Sequence, residues 1–309
     1  MKVVANPIWR RELKERVRSR RTVVGFSVYL AILGLVLWLA ERGQERTTFG
    51  QLTSASAGRT VFHILVMVLL FLVCFLLPAY AAGSISSERE RQTFQLVQVT
   101  LMRPYQIVLG KLGAALSWLL LLVVATLPFV AVGFVLGGVT LGQVLGAYAM
   151  VVFTGFTLAL LGMAVSARAR RTMTAALIAQ TIVLMLLFGT PILYAALRAP
   201  DRYQGRPSQM SPILGLNPFV GMAAAIGEPG HQPAAPFDSM ADGLRRETTQ
   251  LSQYGYQGSD MSDLLVLYLS FFSAVGVFAF RSTVAAVRAP ALRLRLATPR
   301  RRRAVQETP

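Results

Sequence analysis

VFHILVMVLLFLVCFLLPAYAAGSISSERERQTFQLVQVTLMRPYQIVLGK, residues 61–111, opens with 23 residues free of Asp, Glu, Lys and Arg and soon reaches four consecutive charged side chains, Glu88, Arg89, Glu90 and Arg91. A bilayer core takes about 20 residues of apolar helix. Residues 61–83 are therefore long enough to cross, and the charges after them must lie where water or head groups can solvate them. The stretch reads as a membrane span followed by its exit.

The same reading extends outward. Residues 23–40, 112–136, 141–167, 172–197 and 264–280 also lack Asp, Glu, Lys and Arg, and their lengths run from 17 to 27 residues. Six spanning helices are expected, in an all-α integral membrane protein. The chain of 309 residues is 54% hydrophobic and carries a formal net charge of +17, which excludes an ordinary soluble domain and points to basic membrane-facing ends. The start has no small-residue cleavage site, so the first span is expected to be retained rather than removed as a signal peptide. The single cysteine, Cys74, excludes an intrachain disulfide and any cysteine-based metal cluster.

Basic residues orient the spans. Counted over alternate connecting segments, Lys and Arg number 23 on the side of both termini and 8 on the other. The side rich in positive charge faces the cytoplasm. Both termini, residues 84–111 and residues 168–171 are then cytoplasmic, in the plasma membrane, and residues 198–263 form an external loop.

Within residues 1–22, Trp9, Leu13 and Val17 recur at a spacing of four among Arg and Lys. That is one apolar stripe on a basic helix, suited to lying in the interface as an elbow. Residues 288–309 form a basic cytoplasmic tail after the last helix, 264–287. Beside a membrane exit its arginines favour anionic lipids over nucleic acid. The external loop holds seven of the fifteen prolines, yet its residues 213–226 are uncharged, a length typical of short interfacial or re-entrant helices.

Residues 84–103 carry their own signals. Ser87 and Glu90 match a capping box, with Glu88 and Glu90 in the first turn. Phe94, Val97 and Leu101 then share a face, and Pro104 is suited to the first position of the next helix. A short cytoplasmic helix starting at Ser87 is predicted.

The chain has no visible energy source of its own. Its spans lack the carboxylates and lysines of proton-coupled carriers. Gly110-Lys111 is followed by Leu112 and has Tyr105 where a P-loop needs glycine. His63 and His231 form no HExxH motif, so an intramembrane hydrolase lacks an assembled reactive set.

With those features in place, the chain resembles the permease subunit of ATP-binding-cassette exporters of the type-2 permease family over essentially its full length. The matching stretches are NPIWRRELKERVRSRR, SISSERERQTFQLVQVTLMRPYQIVLGK and LGMAVSARARRTMTAAL. Glu88-Arg89, Thr93, Leu96, Pro104 and Gly110-Lys111 fall on the family's Glu-Arg, Thr, Leu, Pro and Gly-Lys positions. Gln92 and Phe94 stand where Gly and Leu are commoner.

The resemblance implies that residues 84–103 are a coupling helix docking into a separate ATPase, with Ser87, Glu88, Arg89, Glu90, Thr93 and Phe94 as contacts. It also implies no enzyme activity or cofactor in this chain, ATP and Mg on the partner ATPase, a second permease subunit that is identical or homologous, and external re-entrant helices before the last span. Residues 23–197 would hold the first five spans.

Tyr80, Thr157, Gln180 and Tyr194 are the neutral polar candidates for a substrate pathway. A passage so poor in charge suits a lipophilic or amphipathic substrate moving outward. The rivals are import or extraction of a lipid-linked precursor and a membrane scaffold or sensor that binds a cytoplasmic partner and moves nothing. Gly133 with Gly137, and Gly142 with Gly146, form GxxxG pairs that predict close packing of the hairpin between the third and fourth spans, with a seam between two permease copies as the alternative.

Overall fold

The computed structural model describes residues 20–45, 54–93, 103–194, 196–197, 212–226 and 261–287. Among them every element is helical: α1 (Arg20–Glu45), α2 (Ser54–Glu90), α3 (Pro104–Leu136), α4 (Leu141–Ser166), α5 (Thr172–Leu184), α6 (Pro218–Ile226) and α7 (Met261–Val287). A π-helical turn, Met185–Gly189, continues α5, and a 3-10 turn, Pro212–Leu216, precedes α6.

Among the described residues, five helices are long and apolar enough to cross a membrane: Gly58–Glu90, Pro104–Val135, Leu141–Ser166, Thr172–Tyr194 and Asp263–Val287. The expected first span differs. It lies inside α1, but its apolar part, Val24–Leu39, is a shorter helix, bounded in sequence by Arg20, Arg21, Glu41 and Arg42.

Helix ends follow local chemistry. Pro104 opens α3 as its sequence suggested, and the Arg103 N–H donates to Gln106 Oε1 at 3.0 Å. Thr140 caps α4 by accepting from the Gln143 N–H at 3.3 Å, while its own N–H donates to Gln143 Oε1 at 2.9 Å. This reciprocal pair is a capping box. Between α3 and α4 the chain reverses through Gly137 and Gly138, both at positive φ, 86° and 83°.

Helix α2 is the central element, packing against α1, α3, α4 and α5. Its closest neighbour is α4, and glycine permits the approach. A Cβ added at Gly162 would sit 2.5 Å from the Pro78 carbonyl oxygen and 3.0 Å from Ala81 Cβ, both in α2. One added at Gly155 would lie 2.7 Å from Leu119 Cδ2 of α3 and 3.0 Å from Val73 Cγ1 of α2. Small residues let helices meet where lipid supplies no hydrophobic drive between them.

The glycines that the sequence singled out behave otherwise. Gly133 approaches the Gly58 carbonyl of α2 rather than α4, Gly137 belongs to the turn, and the space at Gly142 meets only Thr140 at 3.9 Å. The predicted hairpin seam is therefore absent at these positions. Gly137 is taken off the α3 face by the chain reversal. Gly142 and Gly146 share a face of α4, on which a Cβ added at Gly146 would meet the Ala225 carbonyl of α6 at 3.9 Å rather than α3.

Polar ties fix the outer helices. The Tyr29 hydroxyl of α1 donates to the Leu122 carbonyl of α3 at 3.1 Å and lies 2.5 Å from Thr126 Oγ1. Tyr268 of α7 stacks on Phe272 at 4.3 Å and sets its hydroxyl 2.6 Å from Thr154 Oγ1 of α4. The expected short helices of residues 213–226 are present as the 3-10 turn and α6, and they pack on α4 and α7.

Replacing Gly162 with Ala sets a methyl against backbone and should lower stability by roughly 1–3 kcal/mol. Gly34→Ala, with nothing within 4 Å of the new carbon, should be neutral or mildly stabilising. Thermal unfolding of both variants in detergent checks the pair.

Candidate functional site at the charged end of the second span

The apolar run of α2 does not end the helix. Ser, Glu and Arg are all compatible with helix, so the coil continues through Glu90, and the Arg91 N–H still donates to the Ser87 carbonyl at 3.1 Å. The predicted helix start at Ser87 is thus corrected. Ser87 lies inside the last turns of α2, and the Glu90 side chain reaches another helix rather than back to Ser87.

The stop comes two residues after Glu90. Gln92 adopts φ 58°, its N–H donates to the Arg89 carbonyl at 3.1 Å, and the Thr93 N–H donates to the Glu88 carbonyl at 2.9 Å. These two bonds form a Schellman cap with Gln92 in its left-handed position. Glycine is favoured there because it has no Cβ to crowd the following carbonyl. Thr93 Oγ1 adds a 3.3 Å bond to the same Glu88 carbonyl. Phe94 and the rest of 94–102 lie outside the described residues, as do the elbow residues Trp9, Leu13 and Val17.

Three contacts tie this helix end to three other helices. Lys111, in α3, is 2% exposed. Its Nζ donates to Glu88 Oε1 at 2.7 Å and to the Ser84 carbonyl at 2.8 Å. A lysine so deeply buried is stable as a cation only with such partners. The Ser166 hydroxyl oxygen, at the end of α4, accepts from the Ile85 and Ser86 N–H groups at 3.0 and 2.9 Å. Glu90 Oε2 accepts from the Thr172 hydroxyl at 2.6 Å and from its N–H at 3.3 Å. That carboxylate caps the start of α5, where the preceding Arg171 supplies no side-chain cap and the helix dipole favours negative charge.

Lys111, Ser166 and Thr172 were not identified as partners by sequence reasoning. Lys111 had one usable signal, an isolated cation at the edge of an apolar run. Ser166 and Thr172 had none, since they meet α2 across about eighty residues of chain.

The four pathway candidates are not gathered into one cluster among the described residues. Thr157 is buried, donates to the Phe153 carbonyl at 3.1 Å and sits beside Gly276 of α7. Tyr80 packs on the main core, and Tyr194 packs on Leu214, Val220 and Leu264. The Gln180 amide oxygen and nitrogen are both shielded and have no hydrogen-bond partner.

Helices long enough to span a bilayer, joined at one charged end, define a multi-pass membrane protein. The chain belongs to the ABC-2 transporter family: residues 6–285 match the family profile described as ABC-2 family transporter protein. Members are membrane subunits of ATP-binding-cassette transporters, with the ATPase on a separate chain. No curated protein matches the chain.

Because Gln92 holds a left-handed backbone with a Cβ, Gln92→Gly should stabilise the fold by about 1 kcal/mol. A rise in the unfolding midpoint checks this, and an unchanged or lowered midpoint contradicts it.

Proposed function

We propose that the chain is the permease subunit of an ATP-driven exporter that moves a lipophilic or amphipathic compound outward across the plasma membrane. Its six spans include α1, both termini are cytoplasmic, and two permease copies, identical or homologous, combine with two ATPases that bind ATP and Mg. The observation that carries this reading is the match of residues 6–285 to the ABC-2 family.

The bonding at the end of α2 supports a mechanism. An ATPase docked on residues 84–103, against Ser87, Arg89, Thr93 and Phe94, pushes on the Schellman end. Because Glu88 is held by Lys111 and Glu90 by Thr172, that push reaches α3 and α5 instead of being lost in a loose linker. Substrate already dissolved in the bilayer enters sideways between the two permeases. Closure then drives it past Tyr80, Thr157, Gln180 and Tyr194 toward the short helices of residues 212–226.

The lining fits such a cargo, since residues 61–83 and the other apolar runs offer no fixed charge to replace the water of a small ion. The elbow residues Trp9, Leu13 and Val17 and the basic tail rest on anionic lipid.

The test is co-expression with ATP-binding-cassette ATPases from the same genome. Wild-type permease should retain one such ATPase through purification and show ATP hydrolysis stimulated by lipophilic compounds in vesicles. Phe94→Ala should reduce both several-fold with an unchanged unfolding midpoint. Retention of the ATPase without movement of any lipophilic compound would favour the scaffold reading instead.

A further inference from the structure

We infer that Asn217 is a positioning residue for the fifth span: it stands in for a backbone N–H that Pro191 lacks, and so sets the register of residues 190–194. In an α-helix the Leu187 carbonyl would accept from the N–H of residue 191. Residue 191 is proline. Its ring has no N–H and presses on the carbonyl four residues earlier.

Two features answer this defect. The helix widens into the π turn Met185–Gly189, a local change that relieves crowding inside a helix. Asn217, 3% exposed and located between the 3-10 turn and α6, donates through Nδ2 to the Leu187 carbonyl at 2.9 Å and lies 2.9 Å from Thr190 Oγ1. The Thr190 hydroxyl in turn donates to the Leu186 carbonyl at 2.8 Å. The Asn217 Oδ1 accepts from the Phe219 N–H at 2.9 Å and caps α6.

One amide therefore serves two helices. In hydrocarbon a carbonyl left without a donor costs several kcal/mol, so the π turn and the docked 212–226 segment stabilise each other. Packing agrees with this: Leu214 and Val220 bury against Leu264, with Tyr194 laid on them. The buried stripe of the fifth span, Ala175, Ala179, Val183 and Leu187, steps by four. Each such step rotates the stripe by about 40° on a straight α-helix, and the π turn takes up part of that drift.

Loss of the grip frees the far end of the span. Conversion of the π turn to regular helix would rotate residues beyond Gly189 by about 100° and move them by roughly 1.5 Å. The directions of Ile192 and Tyr194 are thus set by Asn217. The inference rests on the proposed transport function only for the role of Tyr194 in a passage.

The purified full chain in lipid nanodiscs tests it without any transport assay. Thermal unfolding is followed for Asn217→Leu and Asn217→Ser, each with Pro191 and with Pro191→Ala. Serine remains a good cap for α6 but cannot reach Leu187, so it keeps the test open if Asn217→Leu fails to fold. The loss of midpoint caused by Asn217→Ser should fall at least twofold once Pro191→Ala restores the N–H of residue 191.

A nitroxide at Ile192→Cys, in a Cys74→Ala background, reads the register. Its oxygen accessibility should change at least twofold in Asn217→Ser, while a nitroxide at Leu177→Cys, before the π turn, stays constant. Equal losses of midpoint with Pro191 and with Pro191→Ala, together with unchanged accessibility at residue 192, would overturn the inference.

Discussion

A lysine ammonium buried at the edge of the apolar bundle is the constraint on which the charged end depends. Removing a cation from water costs several kcal/mol unless close partners replace its hydration. Lys111 obtains them from a single stretch of α2, the Glu88 carboxylate and the Ser84 carbonyl. Because both partners lie within one helical turn, they fix the end of α2 against the start of α3. The Schellman cap at Gln92 then sets the direction in which the chain leaves α2.

The fifth span is gripped at both ends by groups from outside it. Glu90 caps its start through Thr172, and Asn217 bonds its Leu187 carbonyl within the π turn. Between these points one side packs on α2 through small residues, with Ala175 and Ala179 against Ala82. The other side exposes Met173, Leu177, Met185 and Phe188. Gln180 carries its shielded amide midway along the span.

The sequence made the spans legible because lipid imposes a length and a polarity that a one-dimensional reading can test. Residues 61–83 and their counterparts became helices, and Pro104 opened α3 as expected. The end of α2 was misread for a physical reason. The apolar run marks where lipid ends, whereas a helix stops where the backbone turns, and Ser87 to Glu90 are good helix residues that also match a capping box. The true stop, a left-handed Gln92, left a trace only as an unusual residue at a position where glycine is commoner. The contacts of Lys111, Ser166 and Thr172 were illegible because each joins residues 23 to 82 positions apart. Glycine spacing misled at Gly142 and was overlooked at Gly155 and Gly162, since only the packed structure tells which glycines face a backbone.

The most direct test of the central constraint is a distance distribution between nitroxides at Arg91→Cys and Tyr105→Cys, both exposed, in a Cys74→Ala background. With Lys111 and Glu88 intact, the account predicts a single narrow distribution. Lys111→Met should broaden it, and the exchanged pair Glu88→Lys with Lys111→Glu should narrow it again. Equally narrow distributions in all three proteins would contradict the claim that this ion pair holds the charged end of the bundle together.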